Sequence, residues 1–135
     1  MVKMKATYLG ELRTECVHES GARMQTDAPK DIGGEGKVFS PTDLFAASLA
    51  TCMLTIMGIA ARKVGFDLKG ATAEIEKEMS NTAPRRIARI VIRFRCPNAP
   101  NAQIQEKLES AALQCPVHLS LHPDVKEEID FVWGI

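Results

Sequence analysis

Apolar and polar residues alternate with a period of two along the N-terminal region, a pattern typical of half-buried strands. The alternation runs through residues 4–8 and 12–16, and a short segment at 22–26 follows the turn-like sequence ESG. Residues 27–37 are rich in glycine, proline and aspartate, which predicts a loop. The region is therefore predicted to form a three-stranded β-meander that ends in a loop.

The next segment is apolar on nearly every side and begins with clear helix signals. Ser40 is the expected N-cap, Pro41 the first helical residue and Asp43 the cap partner three residues later. A helix over 41–64 would be about 36 Å long, and its apolar surface predicts burial on nearly every side. The uncharged run 44–61 is at the lower limit for a membrane span, but its many small and polar residues favour a buried central helix.

Two strands of opposite charge are predicted to pair as a β-hairpin. Residues 72–80 place glutamates on one face, residues 85–96 place arginines on one face, and NTAP supplies the turn. An arginine stripe can bind nucleic acid, but the opposing glutamates neutralise it. The pattern therefore favours a solvated sheet face.

The C-terminal part completes a single α+β domain over residues 1–135. A second helix is capped near Asn101 and carries Leu108 on its apolar stripe. Pro116 is suited to begin a short third helix, and residues 125–133 alternate as a closing strand.

The balance of charges and the cysteine content exclude some classes of function. The 17 basic and 17 acidic residues cancel, so no overall field draws the protein to nucleic acid or to an anionic membrane. The N-terminus has no apolar run behind its lysines, which predicts neither a signal nor a transit peptide and favours a cytoplasmic location. In a reducing compartment the four cysteines are buried thiols, catalytic thiols or metal ligands.

Cys52 and Cys115 are the candidates for chemistry, whereas Cys16 and Cys96 face inward on predicted strands as core thiols. Cys52 lies mid-helix on an arc of small polar residues, which fits either core filler under a closely packed second helix or a reactive thiol in a tight pocket. As the N-cap of the third helix, Cys115 is expected to have a lowered pKa. A sulfenic acid on one thiol would condense with the other to a disulfide.

Metal binding is the rival chemistry for these cysteines. Cys115, His118 and His122 have spacings of three and four residues, and Cys52 could complete a zinc site. Since the chain has no CxxC pair and Pro123 cuts the segment short, the interpretation without a metal is preferred.

Two segments, SPTDLFAASLATC at 40–52 and CPVHLSL at 115–121, together with the order of elements, resemble the OsmC/Ohr superfamily of osmotically inducible and organic hydroperoxide resistance proteins. The resemblance implies an intertwined homodimer with two active sites at its interface and no metal or other cofactor. It also implies reduction of organic hydroperoxides at the expense of a thiol or dithiol. By this resemblance Cys52 attacks the peroxide and Cys115 is the resolving cysteine.

One position departs from the family pattern. The peroxidases usually carry a glutamate after the helix-starting proline, where it orients an arginine that supports the reactive thiolate; this chain has Thr42. Arg13 matches the arginine best by position, and Arg23 is second. Asp43 is no substitute, because it lies about 180° from Cys52 round the helix. Thr42 favours the alternative of a non-catalytic relative that binds a small apolar ligand or senses redox state.

Overall fold

Six strands and three α-helices make up the computed structural model, which describes residues 1–135. They divide into two units, Met1–Phe45 and Ala46–Ile135. Each unit has one three-stranded sheet, and the order of the sheets is β1-β2-β3 and β4-β5-β6. The prediction of an α+β fold of this element order is confirmed.

The first unit is the predicted antiparallel meander. Strand β1 spans Met4–Gly10, β2 Arg13–His18 and β3 Arg23–Asp27. The turn between β1 and β2 is tight, because Glu11 and Leu12 both have positive φ (54° and 61°), as in a type I′ turn. The loop after β3 contains a short 3-10 helix that the composition did not predict.

Cys16 was predicted to be a core thiol, and this prediction is wrong for the chain by itself. Cys16 lies on β2, every residue of which is only partly buried, and its neighbours on β1 are exposed. Alternation along a strand indicates which side chains share a face. It does not indicate whether another layer covers that face.

Helix α1 spans Pro41–Lys63, one residue shorter than predicted. Ser40 and Asp43 form the expected capping box: the backbone N–H of Ser40 donates to Asp43 Oδ2 (2.9 Å), and that of Asp43 donates to Ser40 Oγ (3.1 Å). By length and composition α1 could cross a membrane, with a mean hydropathy of 2.0 over its most apolar window. Core helices of soluble proteins pass the same test, and here one face of α1 belongs to the core.

The second unit is built around β5. Strand β4 (Thr72–Met79) pairs antiparallel with β5 (Ile87–Cys96), and β6 (Lys126–Trp133) pairs parallel with β5. Between β5 and β6 the chain forms α2 (Ala102–Ala112) and α3 (Pro116–Leu119). Asn101 Oδ1 caps α2 by accepting from the N–H of Ile104 (3.0 Å), as predicted.

The outer face of this sheet carries the predicted charge ladder. Arg93 pairs with Glu76 at 2.6 Å, and Arg89 bridges Glu78 (2.8 Å) and Glu128 (3.0 Å) on the two flanking strands. The hydrogen bond from Arg93 lowers the pKa of Glu76. Since the arginines are matched by carboxylates, the face is a solvated salt-bridge network, as predicted.

The inner face of the sheet and one face each of α1 and α2 share the hydrophobic core. The buried residues of this core are Ala46, Leu49, Ala50, Met53, Met57, Ala61, Ile87, Ile90, Ile92, Phe94, Cys96, Leu108, Ala112 and Cys115. Phe94 on β5 stacks on Phe131 of β6 with ring centroids 5.0 Å apart. Cys96 is a core thiol, as predicted, and burial raises its pKa.

Helix α1 was predicted to be buried on nearly every side, and this is wrong for the single chain. Its buried residues recur along one face only, while Thr51, Thr55 and Ile59 on another face are exposed. A chain of this length has only two further helices, both short. They leave this face, hereafter the open face of α1, uncovered.

Candidate active site

Cys52 lies near the middle of α1, at the border between its buried face and its open face. Its side chain is partly buried and packs against the core. The small residues beside Cys52 were expected to pack against a second helix. They do not, because Thr51 and Thr55 are exposed. Their hydroxyl groups donate instead to carbonyl groups one turn earlier in α1. The thiol is therefore accessible from the side that the chain leaves open.

Cys115 is the N-cap of α3 and is completely buried. Pro116 follows it at the first helical position, where its lack of an N–H costs nothing. Cys115 Sγ accepts a hydrogen bond from the backbone N–H of His118 at 3.2 Å. The local sequence thus fixes the sulfur at a helix N-terminus, as predicted.

The structure brings the two thiols together. Cys52 and Cys115 are both free, and the Cys52 thiol is close enough to Cys115 to raise its pKa. They lie 63 positions apart in sequence, so only the packing of α2 and α3 against α1 makes them neighbours. This proximity places two free thiols side by side in the second unit.

The pKa of Cys115 is raised, whereas the sequence predicted a lowered value. Burial of the sulfur is the largest cause, because it penalises the charged thiolate; the N–H of His118 opposes it with a smaller effect, and the Cys52 thiol adds to the increase. The lowered pKa was predicted from the helix N-terminus alone, without the effect of burial. It was wrong because removal of the sulfur from water outweighs the first turn of a four-residue helix.

The two histidines of the rival zinc site contact other groups. His118 Nδ1 lies 2.7 Å from Glu127 Oε1 on β6, a partner that the sequence did not indicate. His122 Nδ1 lies 3.1 Å from the guanidinium of Arg86. No group of three residues of the types His, Cys, Asp and Glu comes together in a geometry that could hold a metal ion.

Arg13 and Arg23, the two candidates for the supporting arginine, both lie in the first unit. Arg23 is exposed, and its guanidinium forms an ion pair with Glu15 at 2.8 Å. Arg13 directly follows the tight β1–β2 turn, is partly buried and has no ion pair or hydrogen bond through its guanidinium. Arg13 is therefore the candidate that is available for another anion.

The first unit has a neutral side chain, Thr42, at the start of α1 and a buried carboxylate, Asp27, at the end of β3. Thr42 Oγ1 lies 3.2 Å from Ser40 Oγ at the start of α1 and provides no charge. Asp27, at the end of β3, is 1% exposed, and its Oδ1 has no hydrogen-bond partner. Asp27 was predicted to lie in a loop. Its position opposite Arg13 follows from counting outward from the turn at residues 19–21, which joins β2 to β3.

Comparison with known proteins assigns the chain to a family. Residues 34–130 match the family model described as OsmC-like protein, which covers most of the second unit together with the start of α1. The chain belongs to the OsmC-like family. The resemblance inferred from the two cysteine segments is thereby confirmed. No curated protein matches the chain in sequence.

Solved OsmC-like structures share the whole fold. A protein from Psychrobacter arcticus 273-4, named for a proposed role in osmotic stress and detoxification responses, is 43% identical, with a TM-score of 0.92 over 98% of this chain and 96% of that one. An organic hydroperoxide resistance protein OsmC from Legionella pneumophila is 18% identical, with a TM-score of 0.77 over 97% and 96%. An organic hydroperoxide resistance protein from Elizabethkingia anophelis, with bound thiocyanate, is 15% identical, with a TM-score of 0.77 over 98% and 96%. The family thus includes hydroperoxide resistance proteins.

Proposed function

We propose that this protein is a thiol-dependent peroxidase that reduces organic hydroperoxides and takes part in defence against oxidative stress. The observation that carries the proposal is that two free thiols, Cys52 and Cys115, 63 positions apart in sequence, are neighbours in the fold. Cys52 is partly exposed beside the open face of α1, whereas Cys115 is fully buried. A hydroperoxide from solvent would therefore meet Cys52 first, and Cys115 is adjacent to resolve the product.

The reaction needs only these two thiols and an external reductant. The Cys52 thiolate attacks the distal peroxide oxygen, the O–O bond breaks, and the alkoxide leaves as an alcohol after taking a proton. The resulting sulfenic acid is attacked by Cys115, which forms a disulfide and releases water. A thiol or dithiol of the cell then reduces the disulfide and is itself oxidised. No metal or organic cofactor takes part in these steps.

Arg13 is the proposed supporting cation for the Cys52 thiolate. An arginine is always protonated at physiological pH, and a cation near a thiol favours its thiolate form. One observation supports Arg13 over Arg23: the Arg23 guanidinium is already paired with Glu15, whereas that of Arg13 forms no ion pair or hydrogen bond. We further propose that the working form is a cytoplasmic homodimer.

The proposal is tested by organic hydroperoxide consumption in the presence of a dithiol. We expect the wild-type protein to turn over many times and the Cys52→Ser variant to be inactive, because serine cannot form the sulfenic acid. Cys16→Ser is the matched control, since Cys16 is also partly buried but lies on the meander. Equal rates of hydroperoxide consumption for the wild type and Cys52→Ser would contradict the proposed peroxidase activity.

A second candidate function is that of a non-catalytic OsmC-like protein that binds a small apolar ligand or senses redox state. The observation that favours it is Thr42, which puts a neutral side chain where the peroxidases usually have a glutamate. A sensor would form the Cys52–Cys115 disulfide once per added hydroperoxide but would not turn over with the dithiol. A pure binder would form no disulfide at all.

A further inference from the structure

Glu127 places a carboxylate on the apolar face of β6. Alternation along the strand puts it on the same face as Ile129 and Phe131, which pack against the core, and only 18% of its side chain is exposed. A carboxylate in such a position is costly unless it is paired. Its partner is the imidazole of His118 in α3, whose Nδ1 atom lies 2.7 Å from Glu127 Oε1.

This pair is the polar side-chain contact that ties α3 to another element. A helix of four residues is too short to be stable by itself, so it depends on contacts with the rest of the chain. None of its residues is fully buried; Leu119 is exposed, and Val117 packs against the core from a partly buried position. The His118–Glu127 pair therefore fixes α3 to β6.

The first turn of α3 in turn holds Cys115. The backbone N–H of His118 donates to Cys115 Sγ at 3.2 Å, and the backbone N–H of Leu119 donates to the Cys115 carbonyl at 3.1 Å. His118 thus contacts Cys115 through its backbone and β6 through its side chain. Because both contacts belong to one residue, fixing the imidazole also fixes the turn that holds the sulfur.

We propose that His118, held by Glu127, is a positioning residue for the resolving cysteine and keeps the Cys115 sulfur beside Cys52. This inference rests on the proposed function. In the resolving step the Cys115 thiol gives up its proton and its sulfur attacks the sulfenic sulfur of Cys52. The S–S bond forms, and the S–O bond breaks to release water. If the Cys115 sulfur is displaced, a second hydroperoxide oxidises the sulfenic acid to sulfinic acid instead.

The test times the two steps of the reaction separately. Each variant receives one equivalent of cumene hydroperoxide, and alkylation with mass mapping gives the loss of free Cys52 and the growth of the Cys52–Cys115 linked peptide. In His118→Ala and in Glu127→Ala we expect the first step to keep the wild-type rate and the second to slow about tenfold, the effect of one charge-assisted hydrogen bond. The double variant should be no slower than either single variant, because the two residues act as a pair.

His118→Asn separates positioning from proton transfer. The side-chain amide of asparagine can donate to Glu127 from about the place of Nδ1, but it does not titrate and cannot accept a proton from a thiol. It should therefore restore most of the rate of disulfide formation. A rate as low as that of His118→Ala would show that the imidazole itself moves a proton, and would overturn the positioning role.

His122→Ala is the matched control. It removes a histidine of the same segment that contacts Arg86 instead, so both steps should keep the wild-type rate. An unchanged second step in His118→Ala, or an equal slowing of both steps, would overturn the inference, since the first leaves nothing to position and the second indicates general damage to the fold.

A second assay distinguishes failure of this inference from failure of the proposed peroxidase. The aromatic disulfide dithiobis(nitrobenzoate) is added in a Cys16→Ser background, where Cys52 displaces one thionitrobenzoate and Cys115 displaces the second as the protein disulfide forms. If the wild type consumes no hydroperoxide, the proposed function fails, while the second release still reports on Cys115. That release should slow about tenfold in His118→Ala and stay close to wild type in His118→Asn.

Glu127→Gln keeps the inference testable if His118→Ala does not fold. It preserves the shape of the side chain and an acceptor oxygen for Nδ1–H, and it removes only the charge. The second release of thionitrobenzoate should then slow by less than in Glu127→Ala. An unchanged rate in both Glu127 variants would overturn the inference.

Discussion

At the residue scale, the surroundings of Cys115 shift the pKa of its thiol in opposite directions. Burial and the Cys52 thiol raise its pKa, and the N–H of His118 partly compensates. A neutral thiol in a dry site is protected from direct oxidation by peroxide, since the thiolate is the reactive species. This arrangement suits a resolving cysteine, which has to wait until its partner has been oxidised.

The raised pKa predicts the pH dependence of disulfide formation. Below its pKa the thiolate fraction of Cys115 is small and grows about tenfold per pH unit, so the resolving step should accelerate as pH rises from about 6.5 to 8.5. The measurement is one equivalent of hydroperoxide, quenching by alkylation at set times, and mass mapping of the Cys52–Cys115 linked peptide. In Cys115→Ser no such peptide can form, and Cys52 should progress to sulfinic acid. A pH-independent rate in the wild type, or sulfinic Cys52 beside alkylated Cys115, would contradict this role.

At the element scale, α1 depends on the capping box at its start. Ser40 is 2% exposed, and its Oγ accepts from the backbone N–H of Asp43 while its own N–H donates to the Asp43 carboxylate. The box satisfies backbone donors that the first turn of any helix leaves without a partner. Since α1 provides both the largest part of the core and Cys52, its start matters to the stability of the protein.

Ser40→Ala should therefore lower the free energy of unfolding by about 1 kcal/mol, the usual effect of a lost N-cap. The measurement is urea denaturation followed by circular dichroism. Ser110→Ala is the matched control: Ser110 is exposed on α2 and its hydroxyl makes no hydrogen bond, so the change should be close to neutral. Equal stabilities for the two variants would show that the capping box contributes nothing measurable.

At the scale of the whole molecule, the open face of α1 is a surface that the rest of the chain leaves uncovered. The face runs along the middle of a helix whose composition would suit burial, yet Ile59 is 48% exposed and Thr51 and Thr55 are exposed beside it. The threonine hydroxyls are satisfied within α1, so the face presents methyl groups and the Ile59 side chain, and such an exposed apolar surface can mark an interface. The proposed homodimer would cover this face.

Sedimentation at micromolar concentration should accordingly give the mass of a dimer. Thr55→Arg puts a bulky charge in the middle of the open face and should shift the protein to a monomer, because the charge would have to be buried without a partner. Gln103→Arg adds the same charge to the exposed side of α2 and should leave the dimer intact. A compact wild-type monomer would contradict the homodimer and any active site that a partner subunit helps to form.

The sequence by itself determined the order of elements and the starts of the longer helices, and it singled out two candidate cysteines. Alternation identified every strand, and the caps at Ser40 and Asn101 defined the starts of the two longer helices within a residue. These features depend on neighbours within about four positions in the chain, where backbone geometry fixes the periodicity. The family resemblance supplied the proposed roles of Cys52, Cys115 and Arg13, which geometry alone would have left open.

Only the tertiary structure decided what each side chain meets. The parallel pairing of β6 with β5, the exposure of Cys16, the contact of His118 with Glu127 and the raised pKa of Cys115 all depend on residues distant in sequence. Burial is a property of the complete packing, so a periodic pattern can assign a residue to a face without indicating whether that face is covered. For the same reason the burial of Asp27, at the end of β3, was not predicted from its sequence.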